Sequence, residues 1–145
     1  MLGLIQRASS ASVSVNNVTC GSIEQGVVLL LGIQREDNHG KADRLLQKVI
    51  NYRIFPDFQG KMNLSLKDIN GGLLVVSQFT LAADTRKGLR PSFTSAAPPE
   101  QAENLYNYFV AEAKKIHPIV ECGIFSADMK VSLCNDGPVT FMLDA

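Results

Sequence analysis

The amino-acid sequence predicts a mixed α/β domain in which strands outnumber helices and two main helices pack on one side of a mixed sheet. Three observations carry this. Val27 to Ile33 is a continuous aliphatic run with Gly26 and Gly32 at its ends, the pattern of a strand buried on both faces. From Lys41, the residues Ala42, Leu45, Leu46, Val49 and Ile50 form the apolar stripe of a helix. The tail alternates Met129, Val131 and Leu133 against Lys130, Ser132 and Cys134, which is strand spacing.

In chain order, Leu2 to Arg7 and Ala11 to Val15 read as two strands, with Ala8 to Ser10 as the turn of an opening hairpin. The aliphatic strand follows, then the first helix, with Lys41, Asp43, Arg44 and Lys48 turned to solvent. Phe55 to Lys61 holds Pro56, Asp57 and Gly60 and reads as a loop. Leu73 to Phe79 is another buried strand, introduced by the Asn70-Gly71-Gly72 turn. Thr80 to Pro98 has no period, and a long irregular connection inside a compact domain is more often functional than idle. The second helix starts at Pro98-Pro99 and carries Leu105, Phe109, Ala113 and Ile116 on one face. Its acids, Glu100 and Glu103, lie early, while Lys114, Lys115 and His117 lie late, in agreement with the helix dipole. Two final strands are expected, joined by a break at Asp136-Gly137-Pro138.

Composition narrows the function classes. The chain has 145 residues, 46% hydrophobic and 19% charged, which suits one domain spanning residues 1 to 145. Fourteen basic and fourteen acidic residues cancel, so any contact with nucleic acid must come from a local patch. Cys20, Cys122 and Cys134 have no zinc or redox spacing, and reduced thiols are expected. No apolar stretch approaches the roughly 18 residues of a membrane span, and no signal-peptide pattern opens the chain, so a soluble cytoplasmic protein is expected. Nothing in the ligand inventory calls for a metal or cofactor.

Ser77, Gln78, Phe79 and Thr80 put hydroxyls and an amide where a buried strand gives way to a loop. A hydrolase of the Ser-His-Asp kind needs a histidine base, and this chain has His39 in a polar loop and His117 at a helix end, neither with a triad signature. Catalysis by position remains, with main-chain N–H groups around Gln78, Phe79 and Thr80 released from ladder pairing and able to face a developing oxyanion. The plainer alternative is that Ser77 and Thr80 satisfy the loop backbone and Phe79 fills core. The Asp136-Gly137-Pro138 break is open in the same way: a tight turn, or a rigid peptide presenting its carbonyls as a stereochemical gauge. Arg86, Lys87 and Arg90 form either a solvated loop or a phosphate-holding one.

The run Ser77 to Phe93, SQFTLAADTRKGLRPSF, and the run Asn135 to Thr140, NDGPVT, resemble the two motifs of the D-aminoacyl-tRNA deacylases. Ile5-Gln6-Arg7 and Phe55-Pro56-Asp57 are also similar to that family, so the resemblance covers essentially the whole chain. It implies a barrel-like layered sheet core with two main helices on one side. It implies hydrolysis of the ester joining a D-amino acid to the 3'-terminal ribose of tRNA, without a cofactor, by a homodimer. In that family a cis Gly-Pro peptide, here Gly137-Pro138, enters the partner's active site and rejects L-amino acids, while glycine passes. The resemblance implies that Ser77, Gln78, Phe79 and Thr80 line the site, that Phe125 and Met129 line the pocket, and that Arg7 lies near the Gly-Pro loop. Two mechanisms stand, an acyl-enzyme on Thr80 or water assisted by the tRNA 2'-hydroxyl; the second is favoured because no base is evident beside Thr80.

Overall fold

Strand β1 (Leu2–Val15) is the spine of the molecule. Along one edge it pairs antiparallel with β8 (Met129–Asp144) over its whole length, from Leu2 opposite Asp144 to Val15 opposite Met129. Along the other edge its first half pairs with β3 (Gly26–Gly32) and its second half with β2 (Val18–Ile23). Beyond β3 come β6 (Gly72–Ser77) and β7 (Val120–Cys122), both parallel. Strand β2 then comes up against β7, so the mixed sheet nearly closes into a barrel. The computed structural model describes residues 1–145.

Two apolar layers follow from strand alternation. Val28, Leu74 and Val76 point into the barrel with Ala8, Ala11, Val13 and Ile23. Their neighbours Val27, Leu29, Leu31, Leu73 and Val75 point the other way, onto α1 (His39–Asn51) and α3 (Pro99–Ile116). Burial of each such side chain contributes about 1.5–3 kcal/mol, which is why β3 and β6 read as unbroken aliphatic runs. Asn38 caps α1 by accepting from Lys41 N–H at 3.1 Å. Pro99 opens α3, and buried His117 closes it with Nε2 2.6 Å from Gly71 O, pinning the helix end to the entrance of β6. No helix is long and apolar enough to cross a membrane.

Several sequence expectations are corrected. The opening is one strand of 14 residues rather than a hairpin, and its turn lies at Asn16 and Asn17, both left-handed with φ of 50° and 63°. Ala8 to Ser10 is a bulge: Ala8 faces Asn135 and Ser10 faces Cys134, leaving Ser9 unpaired. The bulge flips parity, so Ile5 faces the helices whereas Ala11 and Val13 face the barrel interior. The tail is likewise one 16-residue strand, and the Asp136-Gly137-Pro138 break is a bulge within it, not a junction between two strands. The Phe55 to Lys61 loop includes a strand, since β4 (Phe55–Pro56) pairs with β5 (Met62–Leu64) around a turn held by the Asp57 carboxylate. The strand from Leu73 stops at Ser77, two residues short of Phe79. Strands β2 and β7 and the one-turn helix α2 (Leu66–Ile69) were not anticipated; β7 and α2 are too short for a period to emerge, and β2, VTCGSI, buries only Gly21 and Ile23.

Candidate active site

The β3–β6 ladder runs out at Leu31 opposite Ser77, and Gln78 N–H adds one more bond to Leu31 O at 2.8 Å. The chain then tightens into a 3-10 turn, Phe79–Ala82. Gly32 allows this: a Cβ there would lie 2.9 Å from Leu81 Cβ, so any side chain would push the turn off β3. Leu81 N–H donates to Gln78 O and Ala83 N–H to Thr80 O, while the amides of Phe79 and Thr80 open the turn and take no part in it. Gln78 Nε2 donates to Thr80 Oγ1 at 2.5 Å.

Next to this strand end is a cavity of about 430 Å³. One wall is Val76, Ser77, Gln78 and Phe79; the facing wall is Phe125, Ser126, Ala127 and Met129 from the β7–β8 connection. Ala97, Pro99 and Ala102, where α3 begins, make the floor. No charged or imidazole side chain lines it. His117, engaged with Gly71 O at the opposite end of β6, is not a base for Ser77, and His39 stacks on Tyr108 at 4.1 Å. The irregular segment after the turn is well tied down. Asp84 and Ser92 exchange backbone bonds, Arg35 holds Thr94 O and Ser95 O, and the Ser95 hydroxyl donates to Ala82 O. The result sets Phe93 against Phe79 at the rim, with ring centres 5.1 Å apart.

Opposite Arg7, β8 carries four residues where one would pair, because Gln6 faces Thr140 and Ala8 faces Asn135. Asn135 Oδ1 accepts from Val139 N–H at 2.7 Å and closes this bulge. Arg7 supports it from below, with Nε donating to Asp136 O and Nη1 to Ile54 O. Asp136, Gly137 and Pro138 are exposed, and the Gly137-Pro138 peptide is cis. A family model described as D-Tyr-tRNA(Tyr) deacylase matches residues 4–144.

The chain belongs to the D-aminoacyl-tRNA deacylase family of hydrolases. A D-aminoacyl-tRNA deacylase of Stutzerimonas stutzeri is 61% identical over 145 residues, covering 100% of both chains. One from Pseudoalteromonas translucida is 62% identical and covers 99% of both. A solved structure titled c-Myc DNA Unwinding Element Binding Protein superimposes with a TM-score of 0.95 at 38% identity, covering 100% of this chain and 99% of that one. A probable eukaryotic D-amino acid tRNA deacylase has the same fold, with a TM-score of 0.83 at 16% identity over 99% of this chain and 98% of that one.

Of the residues singled out from the sequence of this deacylase family member, Ser77, Gln78, Phe79, Phe125 and Met129 meet around the cavity. Thr80 stands just outside it, exposed. Arg7, Gly137 and Pro138 form a separate cluster that does not line the cavity of the same chain. Arg86 is held by Asp84 in a two-point pair (2.9 and 2.7 Å), which keeps that carboxyl well below the usual carboxylate range. Lys87 and Arg90 are exposed without an ionic partner. Sequence reasoning missed the floor; the small Ala97 and Ala102 flanking Pro98-Pro99 were the available signal, since small residues at a helix start leave room.

Proposed function

We propose that this protein hydrolyses the ester of D-aminoacyl-tRNA, and of glycyl-tRNA, to free amino acid and tRNA, a proofreading step in translation. Membership in the family supports the reaction. The observation that carries the mechanism is a cavity without a titratable side chain beside a strand end whose next two amides are uncommitted. In this reading the N–H groups of Phe79 and Thr80 receive the oxyanion of the tetrahedral intermediate, a contribution worth about 3–4 kcal/mol per donor in hydrolases of this type. Ser77 and Gln78 shape the wall. Thr80 Oγ1 already accepts from Gln78 and has no base beside it, so the nucleophile is a water assisted by the tRNA 2'-hydroxyl.

The chiral filter is the Gly137-Pro138 peptide, which enters the site of a second protomer in a homodimer and leaves no space for an L side chain. Its exposure, its stiff support by Arg7 and Asn135, and its separation from the cavity of its own chain favour this arrangement. Exclusion by a clash separates enantiomers more strongly than a merely preferred contact. Phe125 and Met129 hold the aminoacylated end, and Arg86, Lys87 and Arg90 meet its phosphates. The free thiols suit the cytoplasm. Incubation with D-Tyr-tRNA and L-Tyr-tRNA tests the whole: equal rates, or an intact D ester, would refute it.

A second reading, binding of a nucleic-acid end without turnover, draws on the name of the 38%-identical structure and on the missing base. It requires tRNA binding with no hydrolysis, and multiple turnover removes it.

A further inference from the structure

Strands β6 and β7 run side by side only as far as Val75 opposite Cys122. Beyond that rung they part. Strand β6 continues to Ser77 and the 3-10 turn, while the segment after β7 swings through Gly123 to Phe125, and the cavity occupies the fork between them. At the crotch lies the hydroxyl of Tyr106, 3.0 Å from Val75 O and 3.0 Å from Gly123 O, on a residue only 2% exposed. Val75 O also accepts the Gly123 N–H at 2.9 Å, so the carbonyl of Gly123 is the group that the parting of the strands leaves needing a donor.

Burial, and after it the thiols of Cys122 and Cys20, hold the phenol above its ordinary pKa, so the hydroxyl keeps its proton. One proton is shared between two carbonyls on two diverging segments. The ring leans on Phe125, with centres 5.8 Å apart, and Tyr106 sits one helical turn beyond Ala102 in the cavity floor. Tyr106 itself does not line the cavity.

We infer that Tyr106 is a positioning residue for the deacylation reaction: its hydroxyl fixes the spread of the fork, and so the distance between the Ser77-Gln78 wall and the Phe125-Met129 wall that grips the aminoacylated end. The inference rests on the function proposed above. A core tyrosine that only satisfies two carbonyls would affect stability alone. A fork pin also affects the grip on substrate, equally in the ground and transition states, because the amides of Phe79 and Thr80 lie beyond it.

The test is steady-state deacylation of D-Tyr-tRNA by Tyr106→Phe. KM is expected to rise about three- to tenfold with kcat within about twofold, since one buried acceptor loses its donor. Incorporating 4-aminophenylalanine at position 106, which restores a donor at the same point, should return KM to the native value. A folded Tyr106→Phe protein with native KM overturns the inference whatever its melting temperature, and so does a fall in kcat at constant KM. If Tyr106→Phe does not fold, 4-fluorophenylalanine at position 106, which fills the place of the hydroxyl without donating, must reproduce the KM rise, and an unchanged KM there is equally fatal. Native protein that fails to hydrolyse D-Tyr-tRNA would instead sink the proposed function.

Discussion

Arg7 Nε donates to the carbonyl oxygen of Asp136 at 2.8 Å, and the same guanidinium reaches Ile54 O at 2.7 Å, so one side chain ties the bulge of β8 to the chain entering β4. The group is 12% exposed, whereas the Asp136 carboxylate, 3.7 Å away, is 52% exposed. The carbonyl bonds therefore outweigh the ion pair. Arg7→Ala should destabilise by about 2–3 kcal/mol, measured by urea unfolding. Arg7→Lys should recover less than half of that, because an ammonium cannot donate along two fixed directions from a planar fork. Both variants should lose discrimination between D and L esters before they lose hydrolysis of the D ester.

Gly137 has φ of 140°, and a Cβ there would lie 2.6 Å from Val139 Cγ2 and 3.1 Å from Arg7 Nη2. Gly137→Ala should therefore cost about 1–3 kcal/mol in the bulge. Parallel assays with D-Tyr-tRNA and L-Tyr-tRNA should show the rate ratio falling by about tenfold or more. An undiminished ratio would mean that the bulge is not the chiral filter.

Thr80→Ala removes only a hydroxyl that accepts from Gln78. Its kcat should stay within about tenfold of native, whereas loss of a committed nucleophile costs several orders of magnitude. A substrate ending in 2'-deoxyadenosine should be hydrolysed poorly by the native protein. Trapping an acyl-enzyme on Thr80 would reverse both expectations.

Lys87→Ala and Arg90→Ala should each weaken tRNA binding and reduce the salt dependence of log K by about 0.7 per cation, as for single-stranded phosphates. Arg86→Ala should do less, because its charge is already matched by Asp84. Filter binding across a salt series separates the three.

The Asp84 carboxyl titrates below its ordinary value because Arg86 bonds to the ionised form. The sign follows from linkage: the tie is complete above the unfolded carboxylate pKa of about 3.9 and is lost only as pH falls through the lower folded value. Amide exchange of Arg86 should therefore stay protected from neutral pH down past the range where free carboxylates titrate. Asp84→Asn should abolish that protection at every pH.

Legibility in the sequence tracked the length of the repeating signal. Strand β3, strand β6 and helices α1 and α3 declared themselves because each buries a regular face. Ser9 and Ser10 looked like a turn since small polar residues mark turns and bulges alike, and only pairing with β8 tells the two apart. The Asp136-Gly137-Pro138 break was visible as an interruption, but its shape depends on Arg7 and Asn135, which are neighbours only through the sheet. Ser77 to Phe79 could be placed at a strand end from local pattern alone. The facing wall could not, because Phe125 reaches the cavity through a three-residue strand and a fork pinned by Tyr106, neither of which leaves a periodic trace.

Strand β8 pairs with β1 along one edge, and no other strand of the same chain covers its opposite edge. Such a border is a template on which foreign chains can stack into fibrils. Here the template is cut midway by four residues out of register and by a proline with no hydrogen to offer, and exposed Lys130 and Asp144 charge the stretches that remain. The bulge proposed to tell mirror images apart thus also interrupts a long strand edge on which another chain could stack.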